Sequence, residues 1–228
     1  MKRLLILSAL LVFHLVNAQA AQVTDSSTPE STMPTVTFDG KTPALLQLQQ
    51  RWAQINYGVE DKETAFKTLL KQAKSAVLKD PNNPELLIWQ GIIQSSTAGA
   101  IGGLSALKYA KAARKSFEQA IRIDENALAG SALTSLGVLY HKLPGWPISF
   151  GDDKKAAQLL TRALEVNPHG IDPNYFYAEF LFDKKDYADA AKFLHKAKIA
   201  PPRENRPLAD EGRQSEIATL EQKIKEKT

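Results

Sequence analysis

Ala113-Arg114-Lys115-Ser116-Phe117-Glu118-Gln119-Ala120 decides the fold, because its pattern of small, large and small residues returns twice. Ala156, Leu160 and Ala163 repeat the same four- and three-residue spacing, and so do Ala190, Leu194 and Ala197. Residues three and four apart lie on one face of an α-helix, so each copy is a stripe with a bulky residue between two small ones. A neighbouring helix can approach the small residues closely while the large one fills the gap. Five residues beyond the last alanine stand Glu125, Pro168 and Pro202, which mark turns. A degenerate earlier copy runs through Leu69, Ala73, Ala76 and Pro81.

The segment before each stripe repeats as well. Leu87, Gln90, Gly91 and Gln94 are followed at the same spacing by Leu133, Leu136, Gly137 and Tyr140, then by Asn174, Tyr177, Ala178 and Leu181. Glycine or alanine at the third place again permits close contact between helices. Together the two patterns resemble the tetratricopeptide repeat family, over about Ala44 to Pro202. The resemblance implies an all-α superhelix of stacked helical hairpins. Periodicity and turn signals predict nine helices, near 44–57, 62–79, 84–95, 104–123, 127–142, 152–166, 171–183, 187–199 and 207–226. Pro84 suits a first helical turn and Asp152 suits an N-cap. Two stretches depart from the repeat: a Gly/Ala-rich insertion around Ser95 to Leu107 and a Pro/Gly-stiffened one around Leu143 to Gly151.

Outside the repeats the composition changes. Lys2 and Arg3, the apolar run Leu4–Val16 and the small residues of Ala18-Gln19-Ala20 read as a secretory signal peptide over residues 1–20. The apolar core is too short for a transmembrane span, which needs about 20 residues. Residues 21–43, rich in Ser, Thr, Pro and Gln, read as a flexible linker in which Val36 and Phe38 are the residues able to dock. The repeat domain then covers 44–206, and 207–228 form a capping helix with Leu208, Ile217, Leu220 and Ile224 on its covered face. Dimerisation through that helix is the alternative. The chain has no cysteine, so it has neither a disulfide framework nor a site for lipid attachment. The expected location is therefore the periplasm or the exterior, with a soluble mature form.

Lys and Arg number 29 against 25 Asp and Glu, a formal +4 that falls to +2 once Lys2 and Arg3 are removed. The charges are interleaved, so no basic face suggests nucleic acid as a partner. His141, His169 and His195 lie on separate elements without metal-ligand spacing, and no nucleophile motif is present. The Gly99–Gly103 stretch lacks the Lys-Ser/Thr that would make it a phosphate loop. No enzyme, metal or cofactor is expected.

Binding is the remaining activity. First helices of such hairpins line a concave groove, whose candidate residues are Ile88, Ile92, Thr134, Val138, His141, Tyr175, Glu179 and Phe182. Ile88, Ile92 and Val138 could equally be core. Trp146 and Phe150, on the second insertion, read either as a contact anchor or, preferentially, as aromatics folded back between hairpins. A protein partner or a small apolar ligand would suit this surface. The loop from Tyr140 through Pro144, Gly145, Gly151 and Asp152 to Ala156 also resembles the T component of TRAP-type (tripartite ATP-independent periplasmic) transporters. That resemblance implies a transport accessory that associates with a solute-binding protein and handles an apolar organic anion.

Overall fold

A computed structural model describes residues 42–228, so the signal-peptide reading, nearly all of the linker and the docking of Val36 and Phe38 lie outside the described residues. Every regular element described is helical. The helices are α1 (Pro43–Gly58), α2 (Lys62–Lys79), α3 (Pro84–Ile101), α4 (Leu107–Ile123), α5 (Ser131–Lys142), α6 (Asp153–Val166), α7 (Ile171–Asp183), α8 (Tyr187–Lys198) and α9 (Pro207–Lys225). A short 3₁₀ turn at Leu104–Ala106 leads into α4. Side-chain caps fix several starts. The Asn83 side-chain oxygen accepts from the Glu85 and Leu86 amides, and the Asp152 carboxylate accepts from those of Lys154 and Lys155.

Hairpins form between α1 and α2, α3 and α4, α5 and α6, and α7 and α8. The repeated stripes are the seams inside them. Ala113, Phe117 and Ala120, then Ala156, Leu160 and Ala163, then Ala190, Leu194 and Ala197 are all buried. In the second and third hairpins the large residue meets the glycine of the preceding helix. A Cβ placed on Gly91 would lie 2.5 Å from the Phe117 ring, and one on Gly137 would lie 2.8 Å from Leu160 Cγ. The two halves of the repeat are therefore one contact seen from both sides.

Between hairpins, the first helices touch one another in the order α1, α3, α5, α7. They form the inner layer, and the array curves around them. Helix α9 packs on α7 and α8 through Ile217, Leu220 and Ile224, and it also reaches back to α1. The inner layer is thereby closed into a ring. Leu208 does not join the covered face; it is exposed, and Ala209 and Arg213 take the buried positions beside it.

Two boundaries differ from expectation. Helix α3 does not stop near Ser95 but continues to Ile101, and Thr97 and Ala98 are buried. The hydroxyls of Ser96 and Thr97 donate to the carbonyls of Ile92 and Ile93, so these polar residues ride inside a helix without an unpaired group. The first insertion is thus a longer hairpin rather than a loop, turned by Gly102 and Gly103 at φ +67° and +56°. Helix α5 starts at Ser131 instead of residue 127, because Leu128, Ala129 and Gly130 adopt positive φ and end the preceding turn.

Because the Phe117 ring is fully buried, Gly91→Ala should lower the melting temperature even though alanine gains about 1 kcal/mol of helix propensity over glycine. Phe117→Leu in the same chain should recover part of the loss. Thermal denaturation followed by circular dichroism checks both, and additive losses in the double variant would contradict the contact.

Candidate functional site

The inner helices line a half-open concave chamber of about 220 Å³. Its wall is mostly apolar: Trp52 and Tyr57 from α1, Ile92 from α3, Val138 from α5, and Tyr175 and Phe176 from α7. The α1 aromatics are held by geometry. Trp52 packs edge-on against Trp89 and Tyr57, with centroids 5.9 and 6.0 Å away, and its Nε1 donates to Ser96 Oγ at 2.8 Å. The extension of α3 contributes Ser95 and Gly99. Ser95 Oγ is buried and has no hydrogen-bond partner among the described residues.

Charged groups enter the chamber as compensated pairs. Lys142 Nζ lies 2.9 Å from Asp183 and 3.4 Å from Glu179. Burial alone would push the Lys142 ammonium down, but these two carboxylates outweigh it and hold it above its ordinary range. On the opposite side Arg213, only 7% exposed, projects from α9. Its guanidinium lies over the rings of Tyr175 and Phe176, at 4.3 and 4.4 Å, and it pairs with Glu216 and with Asp172 at 3.0 Å. Asp172 also receives Arg203. Burial would raise the Asp172 carboxyl, yet Arg213 and Arg203 overcome it and bring it down to about 2.

The same helix closes the ring. Tyr57 lies against the backbone of α9 at Gly212, where a Cβ would meet its ring at 2.3 Å, and its hydroxyl is 3.4 Å from Glu216. Burial pushes the Tyr57 phenol up to about 12, so it stays protonated. The guanidinium of Arg206 covers the Trp89 ring at 5.1 Å. The C-terminal segment therefore both covers the last hairpin and spans the concavity to the first.

Four groove candidates from the sequence, Ile92, Val138, Tyr175 and Glu179, line this chamber. Ile88 and Thr134 do not; both are core residues, Ile88 in the seam with α4 and Thr134 bonded through its hydroxyl to the Gly130 carbonyl. His141 sits outside the chamber between Asp153 and Asp183, at 2.7 and 2.9 Å, with its ring against Phe180. Phe182 packs on Tyr187 in the last hairpin. The two loop aromatics separate: Phe150 folds back onto Tyr140 with centroids 5.4 Å apart, whereas Trp146 is 90% exposed and fills no space between hairpins. The α1 residues, Arg213 and Glu216 escaped the sequence reading, because a face-by-face projection of α3, α5 and α7 cannot show that the chain ends meet. Among the described residues no group of three or more His, Cys, Asp or Glu could hold a metal ion, and no helix is long and apolar enough to cross a membrane.

Residues 148–223, 76 of the 228, match the family model for the tetratricopeptide repeat. The fold is a tetratricopeptide-like array. Proteins of this repeat family are generally scaffolds without enzymatic activity, and their repeats typically bind protein partners. Among solved structures, the chain is similar to a thermophilic TPR protein of Thermus thermophilus, with 15% identity and a TM-score of 0.42 over 78% of this chain and 99% of that one. No curated protein matches it.

Two consequences can be measured. Asp172 ionises far more readily in the folded chain than an ordinary aspartate at 3.8, so its contribution is present above about pH 4 and lost as pH falls toward 2. Asp172→Asn should cost about 2 kcal/mol at neutral pH and flatten the acid limb of stability between those values, which urea denaturation at stepped pH would reveal. Tyr57→Ala should speed amide hydrogen exchange at residues 207–214 while Ile217, Leu220 and Ile224 keep the rest of α9 protected. Uniform exchange along α9 would show instead that the contact with α1 plays no part in holding it.

Proposed function

We propose that this protein is an exported, non-catalytic binding module that holds a small amphipathic organic molecule inside its ring of helices. The observation that carries this reading is the contact of α9 with α1. It covers the concave face along which an open helical array would lay a peptide, and leaves a chamber of about 220 Å³. An apolar cavity of about 150 Å³ already accepts benzene, so this one suits a guest on the order of ten non-hydrogen atoms. An α-helix, about 10 Å across with its side chains, would not fit.

The wall chemistry narrows the guest. Trp52, Ile92, Val138 and Phe176 offer an apolar bed, while Ser95, Lys142, Glu179, Arg213 and Glu216 supply polar groups whose charges cancel. An elongated molecule with an apolar body and one polar end satisfies both. The apolar leader Leu4–Val16 supports export, and the likeness of the Tyr140–Ala156 loop to the T component of TRAP-type transporters supports a role as a transport accessory. A protein-binding scaffold is the second reading, favoured by the repeat match over residues 148–223. In that case the partner would insert an extended chain end, not a helix.

Thermal-shift titration of residues 21–228 against medium-chain carboxylic acids and alcohols tests the proposal. A guest at about 100 times its Kd should raise the melting temperature by about 5 °C. Val138→Trp, which fills the chamber, should abolish the shift. A flat response across the panel, with no mass retained in native mass spectrometry, would overturn the small-ligand reading. A Val138→Trp-sensitive shift with short peptides alone would replace it by the second.

A further inference from the structure

The loop between α5 and α6 turns Leu143 and Phe150 inward but holds Trp146 and Ile148 outward. Trp146 is 90% exposed and Ile148 41% exposed, at the tip of a loop braced by backbone hydrogen bonds. The Ile148 and Ser149 amides donate to the Gly145 carbonyl at 3.1 and 3.2 Å, Gly151 N donates to the Pro144 carbonyl at 3.0 Å, and Asp152 N donates to the Tyr140 carbonyl at 3.0 Å. Gly151 has no room for a side chain, since a Cβ there would lie 1.9 Å from the Leu143 carbonyl oxygen. At the base, Phe150 is pinned between Tyr140 and the guanidinium of Arg114, 5.0 Å away. Trp146 is thus presented outward on a loop whose base is packed by Phe150.

The surroundings are cationic. Lys111, Arg114, Lys115 and Glu118 of α4 and Pro147, Ile148, Ser149 and Phe150 of the loop border a shallow hollow. Arg114 is neutralised by Glu118 at 2.7 Å. Lys111 and Lys115 are exposed and make no ion pair among the described residues, and Lys108 shares their helix face at the three- and four-residue spacing. Lys155 lies over the Tyr140 ring. The nearby acids are engaged elsewhere: Asp152 caps α6, and Asp153 binds His141 and Lys184.

We propose that Trp146 and Ile148 are an interfacial anchor for a bilayer bearing anionic head groups, which Lys108, Lys111 and Lys115 meet electrostatically. Indole prefers the boundary between water and an apolar phase, and flexible lysines follow a fluid charged surface. Tip residues that project beside a shallow hollow, flanked by α4 lysines that make no ion pair among the described residues, fit such a surface better than a protein, which closes around a hot-spot side chain. This docking is independent of what the chamber holds.

Sedimentation of residues 21–228 with vesicles of phosphatidylcholine, alone or mixed equally with phosphatidylglycerol, tests the anchor. Binding is expected only to the mixed vesicles and should fade with added salt. Each lysine near an anionic surface contributes roughly fivefold, so Lys111→Gln with Lys115→Gln should weaken it about 25-fold. Trp146→Ser should weaken it further, and with Trp89 buried and Trp52 partly buried, any blue shift in emission on binding should disappear with that variant. Equal binding to both vesicle types, no binding at all, or Trp146→Ser binding as tightly as the parent would overturn the proposal. Self-association without vesicles that Trp146→Ser removes would overturn it too, and would assign the tip to a second copy of the chain.

Discussion

Phe117 presses its ring onto the backbone of α3 at Gly91, and Leu160 does the same to α5 at Gly137. A hairpin can close that tightly only if one helix gives up its side chain where the other is largest. This contact sets the separation of the helices in each pair, and hence the plane in which the pairs stack. Because the first helices then touch one another while the second ones splay outward, the array bends and acquires an inside. The chamber depends on that bend.

Curvature alone would leave an open groove. What half-closes it is the return of α9 to α1, where the Tyr57 ring occupies the space vacated by the missing side chain of Gly212. The principle is the one used inside the hairpins, a glycine against a large side chain, now spanning the first and last helices of the described chain. Arg213 stands beside this junction, fixed by Asp172, Glu216 and two aromatic rings. A guanidinium that buried is tolerable only because it is paired on one side and stacked on the other. Removing its partners would leave a charge facing an apolar chamber, so closure and chamber chemistry are coupled through one residue.

The outward loop obeys a different economy. The charged side chains that line the chamber, Lys142, Glu179, Arg213 and Glu216, are ion-paired, whereas Lys111 and Lys115 near the Trp146 loop make no ion pair among the described residues. The protein therefore has an apolar interior surface whose charges cancel and a cationic, aromatic exterior one, and the two share α4 and Leu143, which lines the chamber and abuts Gly151 at the base of the loop.

The alternation of alanine, large residue and alanine, preceded by glycine or alanine one helix earlier, determined the helical hairpins and their order. Those features are local: a 3.6-residue period and a steric match between adjacent helices suffice to encode them. Prolines and caps likewise placed Pro84 and Asp152 at helix starts. The extension of α3 was hidden because Ser95–Gly99 has the composition of a loop, and only burial against neighbouring helices makes helix the better solution there. Whether Ile88 faced a groove or a core could not be decided from spacing, since α3 is apolar all round. Trp146 and Phe150 were indistinguishable as aromatics on a stiff loop until backbone hydrogen bonds turned one out and the other in. The closing of the ring, with Tyr57 meeting Gly212 across more than 150 positions, belongs to tertiary structure alone. It arises from the summed curvature of four hairpins, a quantity no single stretch of the sequence contains.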